Sequence, residues 1–147
     1  MSEPAGGTPL DADARADTGD AALRPAPREP DTGIGPVVLV LADDLIWATR
    51  LADAVTAAGG QVRRARRLEG LEDLGASHAI VDLTARAYDG VAGVRAAAGA
   101  GARVVAVGQH DDAPLRRAAL EAGAERVFTY RALFEDGPRS IARWLTS

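Results

Sequence analysis

Short runs of aliphatic and β-branched residues alternate with helix-like segments from residue 37 to the end of the chain. A continuous apolar run of about four to eight residues is typical of a strand that is covered on both faces of a sheet. The second run is short and rich in arginine, which is typical of a strand near an edge, where charged side chains reach water. We predict five strands, at residues 37–41, 61–65, 79–81, 104–107 and 126–129.

The segments between these strands have the spacing and the end signals of helices. The expected inner stripe of the first helix consists of apolar residues at helical intervals, and a pair of glycines closes that segment. These apolar residues are Leu45, Ala48, Leu51, Ala52 and Val55. Asp112 is a predicted N-cap, and Gly123 ends the helix that follows it. Residues 68–74 offer at most two helical turns. We predict that the four helices begin at Leu45, Val91, Ala113 and Gly137.

This alternation determines the expected fold class. Strands separated by helices are joined by right-handed crossovers, so the strands run parallel. We therefore predict an α/β domain with a doubly wound, five-stranded parallel sheet. In such sheets a ligand binds at the carboxyl ends of the strands, where the strand order reverses. Residues at those ends are the first candidates for a functional site.

The beginning of the chain has a different composition from the rest. Residues 1–36 carry seven acidic residues and three arginines, and their large aliphatics are only Leu10, Leu23 and Ile34. So few apolar side chains do not offset a backbone entropy loss of roughly 1–2 kcal/mol per residue. We predict a disordered, acidic, Pro/Ala/Gly-rich tail over residues 1–35 and one folded domain over residues 36–147.

Composition also excludes several kinds of chemistry. The chain has no Cys, and all 17 of its basic residues are Arg, so disulfides, thiolates and lysine nucleophiles are excluded. The sequence contains no run of about 18 apolar residues, the length needed to span a membrane. The predicted domain also has no surplus of basic residues that would favour binding to nucleic acid. Because no Ser or Cys nucleophile lies at a strand end, we expect that the protein is not an enzyme. We also expect it to be cytoplasmic.

Acidic residues follow two of the predicted strands. Asp43 and Asp44 come directly after the first strand, and Asp82 ends the third. In the flavodoxin-like strand order 2-1-3-4-5 these two strands are neighbours at the switch point, so the three carboxylates should converge. Such a cluster takes up a proton or binds a divalent cation. The alternative is that these acids only cap backbone N–H groups of a helix or loop.

Three short motifs together resemble a known family. They are the apolar run that ends in Asp43 and Asp44, Asp82 after a buried strand, and Glu-Ala-Gly-Ala at residues 121–124. The spacing from Asp44 to Gly60 also equals the usual spacing in that family between the second acid and the glycine after the first helix. In these features the chain is similar to the CheY-like receiver domains of bacterial two-component response regulators. The resemblance implies that Asp82 is the phosphoacceptor and that Asp43, Asp44 and Asp82 bind Mg²⁺.

The sequence departs from that family at two positions that contact the phosphoryl group. Gly108 stands at the end of strand four, where the family has Ser or Thr, and Tyr130 stands where the family has Lys. Arg131 is adjacent, but Arg and Lys differ in reach and geometry. Because the whole chain lacks Lys, this loss does not depend on the alignment. The segment between Asp44 and Asp82 is also about six residues shorter than is usual in the family.

These departures favour a degenerate receiver, or pseudo-receiver, that works as a stand-alone signalling or protein-interaction module without phosphoryl transfer. One alternative is an active receiver that is phosphorylated on Asp82 with Mg²⁺. A second alternative is a small-ligand-binding flavodoxin-like domain that uses the same crevice.

The resemblance also implies where partners would bind. In that family the last helices and strand five form the usual face for dimers and partners, and the residues to test there are Arg116, Arg117, Arg126 and Trp144. We expect a homodimer or a protein partner on this face. The arginines of residues 63–67 are interpreted as a solvated strand end, with an anionic partner as the alternative.

Four aromatic or imidazole side chains complete the expectations. Trp47 lies off the apolar stripe of its helix and is expected near the acid cluster. His78 is expected to be partly exposed, and Phe134 to belong, with Trp144, to the terminal core. His110 is interpreted as an ordinary loop residue, with a metal ligand or pH sensor as the alternative.

Overall fold

The computed structural model describes residues 34–147, and these residues form a five-stranded parallel sheet in the order β2-β1-β3-β4-β5. This confirms the predicted doubly wound, flavodoxin-like architecture. The predicted tail lies outside the described residues, apart from Ile34 and Gly35. The strands are β1 (Val37–Leu41), β2 (Gln61–Ala65), β3 (His78–Asp82), β4 (Arg103–Gly108) and β5 (Ala124–Thr129).

Four helices cover the two faces of the sheet. The helices α1 and α4 pack against one face and α2 and α3 against the other. Only a 3-10 turn at Leu71–Asp73 forms between β2 and β3, in agreement with the weak helical signal there. The helices are α1 (Leu45–Ala57), α2 (Gly90–Gly99), α3 (Ala113–Ala122) and α4 (Tyr130–Leu145).

Side-chain caps account for where the helices begin. The carboxylates of Asp44, Asp89 and Asp112 each accept a backbone N–H from the first turn of α1, α2 and α3. The hydroxyl of Thr129 does the same for α4. These bonds satisfy N–H groups that have no partner inside the helix. Gly123 ends α3 with φ of 125°, a conformation that favours glycine.

Two apolar clusters, one on each side of the sheet, form the core. On the first side, Ile80 and Val105 of the sheet pack with Leu51 of α1 and Ile141 of α4. On the second side, side chains of β1, β3 and β4 pack against α2 and α3. Because both faces are covered, the central strands are apolar throughout, as their sequence predicts.

Two predictions about the last helix are wrong. The helix begins at Tyr130 rather than at residue 137, and a kink at Asp136 (φ −149°, ψ 36°) separates its two halves. The Gly-Pro signal at residues 137–138 lies directly after this kink and marks only the second half of the helix. Phe134, expected in the core, is 64% exposed, because the first half of α4 turns Leu133 inward instead.

Two further side chains differ from expectation in their burial, whereas Trp144 is buried as expected for the terminal core. His78 is 8% exposed rather than partly exposed, because it is the first residue of β3, a central strand, and the ring of Trp144 packs edge-on against it at 4.9 Å. Trp144 is therefore buried and cannot be part of an exposed partner face. Leu45, expected on the inner stripe of α1, is 74% exposed because the first helical turn lies at the rim of the sheet.

Within residues 34–147, none of the helices has the length and apolar content needed to cross a membrane.

Candidate functional site

A polar crevice of about 700 Å³ opens at the carboxyl ends of β1 and β3. Since these strands are hydrogen-bonded neighbours, the acids that follow them reach the same space. The predicted convergence of Asp43, Asp44 and Asp82 in one crevice is thus observed. The lining residues are Asp43, Asp44, Trp47, Asp82, Thr84, Arg86, Gln109 and Tyr130.

Asp82 is the most enclosed of the three acids, with 2% of its surface exposed. Its Oδ1 atom accepts hydrogen bonds from the backbone N–H and the hydroxyl of Thr84, at 3.0 and 3.1 Å. The hydroxyl of Tyr130 also donates to this same oxygen. A carboxylate buried this deeply needs such partners to offset the loss of water.

Tyr130 is the first residue of α4 and closes one side of the crevice. Its ring packs against Trp47 with centroids 4.6 Å apart, and its hydroxyl also contacts that of Thr84. Burial raises the pKa of Tyr130, and its hydrogen bond to Asp82 raises it further. The phenol therefore stays protonated near neutral pH and acts as a hydrogen-bond donor to the carboxylate.

The paired acids after β1 have different partners. Asp44 Oδ1 accepts the N–H of Trp47 at 3.0 Å, so the predicted capping role is correct for this residue. Asp43 Oδ2 instead accepts the N–H groups of Arg86 and Ala87, at 2.8 and 2.7 Å. Desolvation acts to raise the pKa of Asp43, but backbone hydrogen bonds, chiefly those from Ala87 and Arg86, together with the charge of Arg66 hold the pKa below its ordinary value. Asp43 thus ties β1 to the loop after β3.

In this arrangement the carboxylates do not form a ready magnesium site. Across residues 34–147, no three His, Asp or Glu side chains gather closely enough to hold a metal ion. Each acid instead uses one oxygen to accept N–H or O–H groups of the protein. A cation would need the carboxylates to turn toward each other, so the Mg²⁺ site stays a prediction.

Gly108 ends β4 opposite Thr129 of β5, next to the crevice. A Cβ atom at this position would lie 3.3 Å from Cδ1 of Leu83, a closer approach than side chains ordinarily make. Leu83 is buried and fills the space beside Gly108. A Ser or Thr at position 108 would therefore require Leu83 to move.

Sequence reasoning missed several residues of the site. Thr84, Arg86 and Gln109 line the crevice without having been singled out. Thr84 carries a usable signal, because a Thr two residues after an Asp often forms a local hydrogen-bonded turn.

Tyr88 is buried, and its hydroxyl lies 2.8 Å from the carbonyl oxygens of Leu41 and Asp82. His110 is exposed and does not line the crevice.

No protein-family model matches this sequence, and no curated protein is similar to it. Solved structures do match. The BeF3-activated receiver domain of DrrB has a TM-score of 0.66 and 17% identity, over 78% of this chain and all of that one. A response regulator from Thermotoga maritima has a TM-score of 0.64 and 17% identity, with the same coverage.

A third match, from Burkholderia pseudomallei, is a response regulator crystallised with a phosphorylated aspartic acid, a calcium ion and citrate. Its TM-score is 0.64 at 21% identity, over 75% of this chain and 66% of that one. The described residues therefore have the fold of a response-regulator receiver domain.

The arginines of the predicted partner face are accessible. Arg116 and Arg117 are exposed on α3, and Arg126 is exposed on β5 with its guanidinium over the ring of Phe128 at 5.6 Å. These three residues stay candidates for a partner face, whereas Trp144 is buried.

Proposed function

We propose that this chain is a pseudo-receiver, a signalling and protein-interaction module that does not transfer a phosphoryl group. The observation that carries the proposal is the bond from the Tyr130 hydroxyl to Asp82, in a chain that contains no lysine. Tyr130 is the position at which the receiver resemblance expects Lys. A neutral phenol there supplies a hydrogen bond but no positive charge.

Phosphorylation of Asp82 would require one carboxylate oxygen to attack phosphorus and a cation to balance the new charge. A phosphoryl group carries about −1.5 to −2 charges at pH 7. Among the described residues that line the crevice, Arg86 is the only basic one, and three acids line the crevice with it. Oδ1 of Asp82 already accepts three hydrogen bonds, which stabilise the free carboxylate and lower its nucleophilicity.

The absence of a hydroxyl at position 108 supports the same proposal. The resemblance assigns that hydroxyl to contact with the phosphoryl group, and Leu83 packs against Gly108 instead. The crevice thus lacks the Lys and the strand-four hydroxyl that the resemblance assigns to contact with the phosphoryl group, although the order of strands around it is that of a receiver. A module of this kind contributes surfaces for protein recognition.

Mass spectrometry of the intact chain tests the proposal directly. The protein is incubated with acetyl phosphate and Mg²⁺, and we expect no phosphoryl mass increment. The matched variants are Asp82→Asn and Asp53→Asn, the latter at an exposed position of α1. A stoichiometric increment that Asp82→Asn abolishes and Asp53→Asn retains would establish an active receiver instead. A receiver that accepts acetyl phosphate serves as the positive control.

A further inference from the structure

A second cavity, of about 690 Å³, lies between the beginning of α1, the end of β2 and the segment that follows β2. We call it the arginine groove and define it by Leu45, Ala48, Arg64, Arg66, Arg67 and Leu74. Its lining combines apolar side chains with the three arginines. Asp43 lines this groove as well as the crevice, so the two cavities are adjacent.

Among the described residues, the arginines of the groove form no close ion pair, although Asp43 and Glu69 also line the groove. Arg64, Arg66 and Arg67 are exposed, and no carboxylate of residues 34–147 lies within 4.0 Å of their guanidinium groups. Arg64 is held along α1 by a contact of 3.5 Å with the hydroxyl of Thr49. The described lining of the groove carries three arginines and two acids, so it is net positive in a chain whose net charge is −4.

Exposed aliphatic side chains adjoin these charges. Leu45 and Ile46, the first two residues of α1, are 74% and 67% exposed. Exposed aliphatic side chains beside a cavity are candidates for an interaction site. Leu45 lines the groove itself, together with the buried Ala48.

We propose that the arginine groove binds an acidic peptide segment of a partner protein, which places carboxylates on the arginines and an aliphatic side chain against Leu45 and Ala48. Arginine suits this role because its planar guanidinium binds a carboxylate through two parallel hydrogen bonds. Complementary charge brings the acidic peptide to the groove, and contact with the apolar side chains of Leu45 and Ala48 contributes affinity once the peptide is bound.

Nucleic acid fits the groove less well. Asp43 and Glu69 line it and would repel a phosphate backbone. Within residues 34–147, no aromatic side chain on which a base could stack lines the groove. The inference deepens the proposed function and rests on it for the expectation of a protein partner.

Selection from a displayed library of random peptides of about 12 residues tests the proposal on the full chain. We expect enrichment of peptides that combine Asp or Glu with Leu, Ile or Phe. Affinities of enriched peptides are then measured by fluorescence anisotropy against two matched double variants, Arg66→Gln/Arg67→Gln and Arg116→Gln/Arg117→Gln. Both remove two adjacent, exposed arginines, but only the first pair lines the groove.

We expect the first double variant and Leu45→Ser each to weaken binding by about tenfold or more, and the second double variant by less than about twofold. Binding should also weaken as salt rises. Equal losses in the two double variants, no acidic enrichment, or equally tight binding of single-stranded DNA would overturn the proposal. These outcomes are independent of whether Asp82 accepts phosphate, so failure here and failure of the proposed function are distinguishable.

Discussion

At the scale of single residues, the contact between Tyr130 and Asp82 is the most informative feature of the molecule. It supplies a donor to a buried carboxylate at a site where the chain has no lysine. The same contact joins α4 to the end of β3. Tyr130 therefore has a structural role in the fold in addition to its effect on the chemistry of Asp82.

Tyr130→Phe should lower the free energy of unfolding by about 2 kcal/mol, because Asp82 loses one of its donors while it stays buried. Denaturant unfolding followed by circular dichroism measures this change. Arg131→Gln, at the next and exposed position, is the control and should change stability by less than about 0.5 kcal/mol. A Phe variant as stable as the parent chain would show that the hydrogen bond does not stabilise the fold.

His78 is a second residue with a measurable consequence. Desolvation lowers its pKa below the ordinary 6.5, the charge of Arg103 lowers it further, and Glu125 opposes the shift. The hydroxyl of Ser77 lies 2.8 Å from Nδ1, while Nε2 has no partner within the described part of the chain. The ring is therefore held neutral against Trp144.

Because the folded pKa of His78 is depressed, the unfolded chain takes up the proton first as the pH falls. The stability from neutral His78 is present above about pH 6.5 and is lost progressively as the pH falls below it. Melting temperatures measured from pH 8 downward should show this slope. His78→Gln should reduce the slope, and His110→Gln, at an exposed position, should leave it unchanged. An identical slope in His78→Gln would contradict the assignment.

At the scale of elements, the acids after β1 organise two different segments. Asp44 caps α1, and Asp43 holds the loop between β3 and α2 through two backbone N–H groups. A carboxylate makes stronger hydrogen bonds to N–H groups than a neutral amide does. The two positions therefore respond differently to the same substitution.

Asp43→Asn should speed hydrogen exchange at the amides of Arg86 and Ala87 by about fivefold to tenfold, since each bond loses its charge. Asp44→Asn is the matched control. It should leave both the loop and α1 nearly unchanged, because Asn caps a helix about as well as Asp. Exchange followed by NMR measures these rates. Unchanged rates in Asp43→Asn would mean that the loop is held by other contacts.

At the scale of the whole molecule, one sheet separates two apolar clusters. Ile141 of α4 is fully buried on one side and Val94 of α2 on the other. The strands between them contribute side chains to both clusters. Loss of packing on one side therefore weakens the sheet that the other side requires.

We expect Ile141→Ala to cost about 2–5 kcal/mol and Val94→Ala somewhat less, with unfolding that stays cooperative in both. Tryptophan fluorescence and far-ultraviolet circular dichroism should give coincident transitions. Leu120→Ala, on the partly exposed surface of α3, is the control and should change stability little. Transitions that separate in either variant would show that the two sides unfold independently.

The sequence by itself determined the fold class and most strand positions. Apolar runs and helical spacing are local patterns, and the arginine-rich run identified the edge strand β2. Charged ends of strands likewise located the crevice, because parallel strands present their carboxyl ends on the same side. The absence of lysine is visible in the sequence alone.

Only the tertiary structure decided which atoms fill the site and which side chains are buried. The bond between Tyr130 and Asp82 joins residues 48 positions apart, and no local pattern indicates it. The burial of His78 and Trp144 depends on how α4 packs against the sheet, and the exposure of Phe134 depends on the face that the first half of α4 turns inward. Such contacts depend on where distant segments meet, and periodicity within one segment carries no information about that.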